Sequence, residues 1–426
     1  MGSSCRRVAV TGMGIICSIG HNTMEFGNSL RNGRSGIGFS CYEKSHSPLE
    51  IGAYIKDFNF IQHMGRFTDA AKELSQRAVQ CARRSPFAVQ VSAAAALEAW
   101  VAGELIEKPV DGERIGLITA GSNISQTHHY QMGLKYKESP DYIMPSYAVQ
   151  YNDFDHIGTL SEVFGINGEG FTAGGASASG NVGIIKGFQM VENGMADVCL
   201  VIGSLADLSP VEIQSFINLD AMGGKRFREQ PEKACRPFDA EHEGFIYGQA
   251  GACLILESMD SAERRGIVPY AEILGGSMVL DGNRLSNPNK SGEMRAMEYA
   301  LEKSAIERNQ IGYINAHGTS TPLGDRVELE AIRDVFGPSL STIWINSTKG
   351  LTGHCLYSAG MVEAIASIIQ MQEGFLHPNI NLDNPIAEGY RFSPKTRIAA
   401  DLQYVMSNSF GFGGINTSIV LKRMGG

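Results

Sequence analysis

No stretch of the 426-residue sequence reaches about 18 consecutive apolar residues, so no bilayer-crossing helix is predicted. The opening Met1 to Arg7, followed by the strand-like Val8-Ala9-Val10, lacks the apolar core of a secretory leader. A basic excess is missing too. With 36 Lys and Arg against 45 Asp and Glu, the formal net charge is -9, which argues against a nucleic-acid binder because phosphate binding needs a basic face. The eight cysteines, at positions 5, 17, 41, 81, 199, 235, 253 and 355, form no CxxC pair and no metal-ligand spacing, so no metal site is expected. Several lie in apolar runs such as Val198 to Val201 and read as small buried hydrophobes in a reducing cytoplasm. No low-complexity segment marks a hinge.

What the sequence does contain is the composition of an ordinary globular protein, 43% hydrophobic and 19% charged, at a length that allows two or three domain-sized units in one enzyme. Its 50 glycines fall beside short apolar runs, which suits tight strand-to-loop turns. A weak internal repeat is present. In the first half come Val8-Ala9-Val10-Thr11-Gly12, then Ile115 to Gly121, a helix over about Ala178 to Asn193, the run Val198 to Gly203 and Cys253 to Leu256. The second half repeats the order with Ala271 to Gly276, Tyr313 to Gly318, a helix starting near Ser358, and Thr417 to Leu421. Strands alternating with helices predict a layered α/β fold with a pseudo-two-fold duplication, split into halves 1–257 and 258–426. Equivalent loops of the two halves would then meet at one site.

Four segments could carry chemistry. Ala176-Ser177-Ala178-Ser179-Gly180-Asn181 opens a helix, where free amides and the helix dipole favour negative charge; Ser177 there reads as a nucleophile or, like Ser179, as a helix cap. Asn315-Ala316-His317-Gly318-Thr319-Ser320-Thr321 puts a histidine after an apolar strand, with Asp325 behind it; a structural histidine would fit equally. Asn346 to His354 places Lys349 and His354 five residues apart between a strand and a helix, which a surface lysine and a core histidine would also explain. Ser407 to Asn416 is a glycine-rich loop before the last strand.

Taken together, and with Val10-Thr11-Gly12-Met13-Gly14, Arg236-Pro237-Phe238-Asp239 and Gly244-Phe245, these motifs resemble the β-ketoacyl-acyl carrier protein synthases from Val8 to Leu421. The resemblance implies a thiolase-like fold with a duplicated αβαβα core. The family's motif has Ala-Cys-Ala where this chain has Ala176-Ser177-Ala178, so Ser177 occupies the position of the nucleophilic cysteine. Smaller departures are Gly174-Gly175, Gln249 in place of an acidic residue, and Ser204-Leu205 in place of Gly-Ala.

By this resemblance His317 and His354 face a malonyl thioester and stabilise the enolate formed as carbon dioxide leaves, a step that needs no cysteine. Lys349 would orient the loop near His354, with Glu328 holding Lys349. Thr319 and Thr321 would bind the pantetheine arm, Phe410 would gate the pocket, the amides of Ser177 and Phe412 would form an oxyanion hole, and Gly411 would belong to the substrate-binding set. The chain is most similar to the stand-alone Cys-to-Ser ketosynthase-like malonyl decarboxylases of polyketide β-branching cassettes. Malonyl-carrier protein would be supplied in trans, with no cofactor beyond the carrier's phosphopantetheine. The alternatives are an elongating synthase with an engineered Cys-to-Ser change and a non-catalytic partner resembling a chain-length factor. A cytoplasmic homodimer is expected, pairing edge to edge through the Asp197 to Gly203 strand. Arg83, Arg84, Lys225, Arg226 and Arg228 are candidate contacts for an acidic carrier, or simply solvated surface.

Overall fold

The buried-strand runs fold as two sets of five strands with one spatial order. In the computed structural model, which describes residues 5–40 and 49–425, the first set is β1 (Val8–Cys17), β2 (Ile115–Ala120), β3 (Gly170–Ala173), β4 (Val198–Gly203) and β5 (Ala250–Ser258), arranged β3-β2-β4-β5-β1. The second is β6 (Ala271–Leu280), β7 (Tyr313–Asn315), β8 (Trp344–Asn346), β9 (Tyr404–Gly411) and β10 (Ile415–Arg423), arranged β8-β7-β9-β10-β6. Numbered within its own set, each reads 3-2-4-5-1, which is the expected duplication. The sets join where Val8, Ala9 and Val10 of β1 pair antiparallel with Ile273, Glu272 and Ala271 of β6. Cys41 and residues 1–4 lie outside the described residues.

Helices cover every face of this arrangement. The Ala-rich α1 (Phe87–Ala102), apolar on all sides, packs on β1 and β5. Two helices, α2 (Ser179–Glu192) and α5 (Ala359–Glu373), pack on each other in the central layer, while α3 (Lys290–Ser304) lies on β6 and β10 and against α4 (Pro322–Phe336). The central pair meets at glycines. A Cβ on Gly180 would stand 2.6 Å from the Met361 nitrogen, and one on Gly360 would stand 2.6 Å from Asn181 Oδ1. That close crossing brings the starts of α2 and α5 side by side, and with them the loops that precede each helix.

One expectation fails here. The strand Val198–Gly203 is not an edge, because β4 pairs with β2 on one side and β5 on the other. Its six residues are all buried, and an unbroken apolar run is the signature of a strand covered on both faces, not of an edge. The edge at this end of the sheet is β3, which pairs with β2 alone among the described residues. Asp197 instead closes a surface ion pair with Arg6 at 2.8 Å and Arg114 at 3.0 Å. Among the described residues no helix is long and apolar enough to cross a membrane, and no cluster of His, Cys, Asp or Glu is arranged to hold a metal ion.

Candidate active site

The turn between β3 and α2 is braced by Ser179, two residues beyond Ser177. Gly175 N–H donates to Ser179 Oγ at 2.9 Å, and the Ser179 hydroxyl donates to the Ala176 carbonyl at 2.7 Å. Ser179 is the first residue of α2; the N-cap of α2 is Ala178, which makes no side-chain cap bond, so neither serine caps the helix and the Ser177 side chain is left for other contacts. Ala176 adopts φ +48, a left-handed conformation that a side chain tolerates poorly. The second half repeats this device at Leu356, φ +50, before α5, so Ala176-Ser177-Ala178 and Leu356-Tyr357-Ser358 are counterparts. Gly411 backs the turn, and a Cβ there would stand 2.5 Å from the Gly175 carbonyl oxygen.

Ser177 Oγ lies 2.9 Å from His354 Nε2. The donor in that bond follows from the other ring nitrogen. Leu356 N–H donates to His354 Nδ1 at 3.2 Å, so Nδ1 is the acceptor and Nε2 carries the proton. His354 therefore donates to the serine and does not act as its base. His317 stands edge-on to it, ring centres 5.5 Å apart at 84°. Its Nδ1 faces the Lys349 ammonium at 3.4 Å, which likewise leaves the proton on Nε2. Burial, then the Lys349 charge, holds both histidines well below the ordinary imidazole range, His354 adding to the effect at His317. Both are neutral at physiological pH, each with one N–H to offer.

Lys349 is buried and fully engaged. It donates to the His317 carbonyl at 2.5 Å and to Glu363 Oε1 on α5. Burial pushes Glu363 up to about 7 against the pull of that ammonium. The residue that holds Lys349 is thus Glu363, not Glu328. Glu328 instead accepts from the backbone N–H groups of His317 and Gly318, both at 2.7 Å, and so fixes the loop that carries His317. Asp325 works beside it, accepting from Ser320 N–H at 3.0 Å and from Phe238 N–H at 2.7 Å. Glu363 was detectable in the sequence as the single carboxylate inside the apolar run Ala359–Met371.

One cavity of about 680 Å³ collects these groups. Ser177, His317, His354, Thr319, Thr321, Phe410, Gly411 and Phe412 all line it, and so does Glu328. The Thr319 and Thr321 hydroxyls are 2.8 Å apart on one wall. Phe410 is the last residue but one of β9, not part of a loop, and its ring lies 5.7 Å from that of His317. Phe245, and Phe216, which sequence reading did not single out, complete the apolar side. Phe245 sits edge-on to His354 at 5.4 Å and to Phe216 at 5.5 Å. Gly174 faces Ser122 of the lining so closely that a Cβ would come within 2.2 Å of its hydroxyl. Gln249 and Ser204 are buried away from the cavity, Gln249 Oε1 accepting from Ile55 N–H.

Of the basic candidates, Lys225 and Arg226 pair at 3.6 Å with Asp220 and Glu243, both cavity-lining carboxylates, so these cations stand at its rim. Arg228 pairs with Glu50. Arg83 and Arg84 follow the helix Lys72–Ala82 and line no part of the cavity.

Residues 5–262 match the β-ketoacyl synthase N-terminal domain, and residues 270–383 match the β-ketoacyl synthase C-terminal domain. The chain is 36% identical, over 98% of its length and 96% of the relative's, to the polyketide biosynthesis malonyl-ACP decarboxylase PksF of Bacillus subtilis. It is 31% identical to 3-oxoacyl-[acyl-carrier-protein] synthase 2 of Vibrio cholerae, over 99% of this chain and 100% of that one. Among solved structures it superposes, with a TM-score of 0.86 and 26% identity over 99% of this chain and 100% of the other, on a chain of AntDE:AntF. That structure is a type II PKS acyl-carrier protein in complex with its ketosynthase bound to the hexaketide.

Proposed function

The chain belongs to the β-ketoacyl synthase family, and from that premise we propose that it decarboxylates malonyl-acyl carrier protein to acetyl-acyl carrier protein. The observation that carries this reading is the bond between His354 and Ser177. Its direction leaves the serine without a base, and a hydroxyl that no base activates is a poor acyl acceptor. An elongating synthase needs a thiolate to hold its growing chain; this site has no such group. What it retains is a pair of neutral imidazole N–H donors converging on one cavity.

The malonyl thioester oxygen accepts from His317 Nε2–H and His354 Nε2–H, taking the place of the Ser177 hydroxyl at the latter. The bond from the α-carbon to the carboxylate breaks, carbon dioxide leaves, and its electron pair becomes the enolate. Donors already in place before the charge develops lower that barrier without reorganisation. Lys349 keeps both rings neutral and oriented. Thr319 and Thr321 lie where the pantetheine arm would enter.

The carrier protein is the partner this substrate requires, and Lys225 and Arg226 at the rim offer the charge an acidic carrier would meet. The similarity to a polyketide biosynthesis malonyl-ACP decarboxylase supports a place in polyketide biosynthesis, where the acetyl-carrier product would serve β-branch formation. A second copy of the chain would pair through β3. Intact-protein mass spectrometry of malonyl-carrier protein mixed with the enzyme tests the reaction. Loss of carbon dioxide in the wild type, slowed by about 10²-fold or more in His317→Ala, is the expected result; an unchanged malonyl mass would move the chain to a non-catalytic partner role.

A further inference from the structure

Decarboxylation ends with a carbanion that must take up a proton, and neither histidine is set to supply it. Both rings are neutral and direct their one N–H at the thioester oxygen. Another acid lines the same cavity. Glu293, in the first turn of α3, is 1% exposed and its Oε2 has no hydrogen-bond partner. The carboxyl groups around it are engaged. Asp281, just after β6, accepts from Asn416 Nδ2 at 2.9 Å and lies 4.0 Å from Arg295 of α3, while Glu328 of α4 holds the His317 loop. β9 and β10 contribute the neutral Asn408 and Asn416. Burial, then the nearby Glu328 and Asp281, raises the Glu293 pKa well above the ordinary carboxyl range, which favours its protonated form.

We propose that Glu293 is the proton donor that completes the reaction. As its O–H bond breaks, the proton passes through the shared cavity to the enolate α-carbon, the new C–H bond forms and the thioester carbonyl is restored. The carboxylate left behind is reprotonated from solvent past the exposed Asn287 at the cavity mouth. This assignment rests on the decarboxylase reading.

The test reads the source of the proton rather than the overall rate. Malonyl-carrier protein is turned over by wild type, Glu293→Gln and Glu293→Ala in equal parts of H2O and D2O, and the methyl deuterium content of the product is measured by mass spectrometry. A positioned acid gives one H-to-D preference in the wild type and a different one in both variants. It also predicts turnover lower by about 10²-fold, the low end for a general acid, with KM unchanged, and recovery of Glu293→Ala activity on adding formate. The same H-to-D preference in all three proteins, with no formate rescue, would overturn the assignment while leaving the decarboxylase reading intact. No acetyl product from the wild type would sink both.

Discussion

His354 Nε2 donates to Ser177 Oγ at 2.9 Å across 177 residues of sequence, and the Leu356 amide on Nδ1 fixes the direction of that bond. A ring held as a donor serves an oxyanion and cannot deprotonate the serine in the same tautomer. His354→Ala and His317→Ala are each expected to lower malonyl decarboxylation by about 10²- to 10³-fold, the usual cost of losing one oxyanion donor. Ser177→Ala should stay within about 3-fold of wild type, since the hydroxyl is an acceptor that the substrate oxygen replaces. Ser177→Cys should gain a covalent acyl adduct, visible as a mass increase with an acyl-carrier donor. A decarboxylation rate that collapses in Ser177→Ala would contradict this division of labour.

Lys349 and Glu363 are fully buried partners, so each is the other's counterion. Glu363→Gln leaves an unpaired ammonium inside the protein, and breaking such a pair typically costs about 3–5 kcal/mol. Calorimetry should find Glu363→Gln strongly destabilised. Glu328→Gln should behave differently. It weakens two backbone bonds that hold the His317 loop, so its main effect should fall on kcat, with a smaller loss of melting temperature. Equal destabilisation by the two changes would mean that Glu328 also carries the Lys349 charge.

These two glutamates mark where the sequence could and could not be read. The family resemblance assigns Glu328 to Lys349, whereas the true partner, Glu363, lies on α5 in the central layer. Linear spacing orders motifs but does not say which side chain crosses a layer. The strand repeat was legible because burial on both faces removes alternation, and the same property misled the reading of Val198–Gly203 as an edge. Ser177 and Ser179 looked equivalent as caps, and the backbone turn at Ala176 separates them. Glu293 had no signal at all. An acidic residue in a first turn ordinarily faces water and complements the helix dipole, and its burial arises from the packing of α3 on β6, β10 and α4.

The pH dependence of activity should separate these histidines from ordinary ones. The neutral ring is the active form, and both pKa values lie well below 6.5. Decarboxylation should therefore persist as pH falls through 6.5, the value at which an ordinary imidazole would be half protonated, and fade only further into acid. Stability should move the other way. Glu293 has a folded pKa above its unfolded value of 4.5, so the folded state keeps a proton that the unfolded chain releases. Its contribution is full below pH 4.5 and is lost as pH rises toward the folded pKa. Glu293→Gln should thus gain melting temperature relative to wild type as the buffer is moved from pH 5 to pH 8. A constant difference across that range would mean that Glu293 does not hold its proton.

The edge strand β3 offers a change that tests assembly without touching the site. In a parallel ladder successive residues bond to alternate sides. Leu117 N–H donates to the Glu169 carbonyl and Gly121 N–H to the Ala173 carbonyl, so the odd-numbered residues of β3 face β2 and the Thr172 amide faces outward. Exposed Phe154 begins the helix Phe154–Phe164, which packs on β3, and exposed Tyr151 lies just before it. Proline at an outward position removes one of the two outward donors of β3, those of Gly170 and Thr172, and leaves the ladder to β2 in place. If two copies pair through β3 as proposed, light scattering should find the wild type dimeric and Thr172→Pro monomeric, with far-UV circular dichroism unchanged; a monomeric wild type would overturn the pairing. A variant that remains dimeric would place the contact between copies away from this edge.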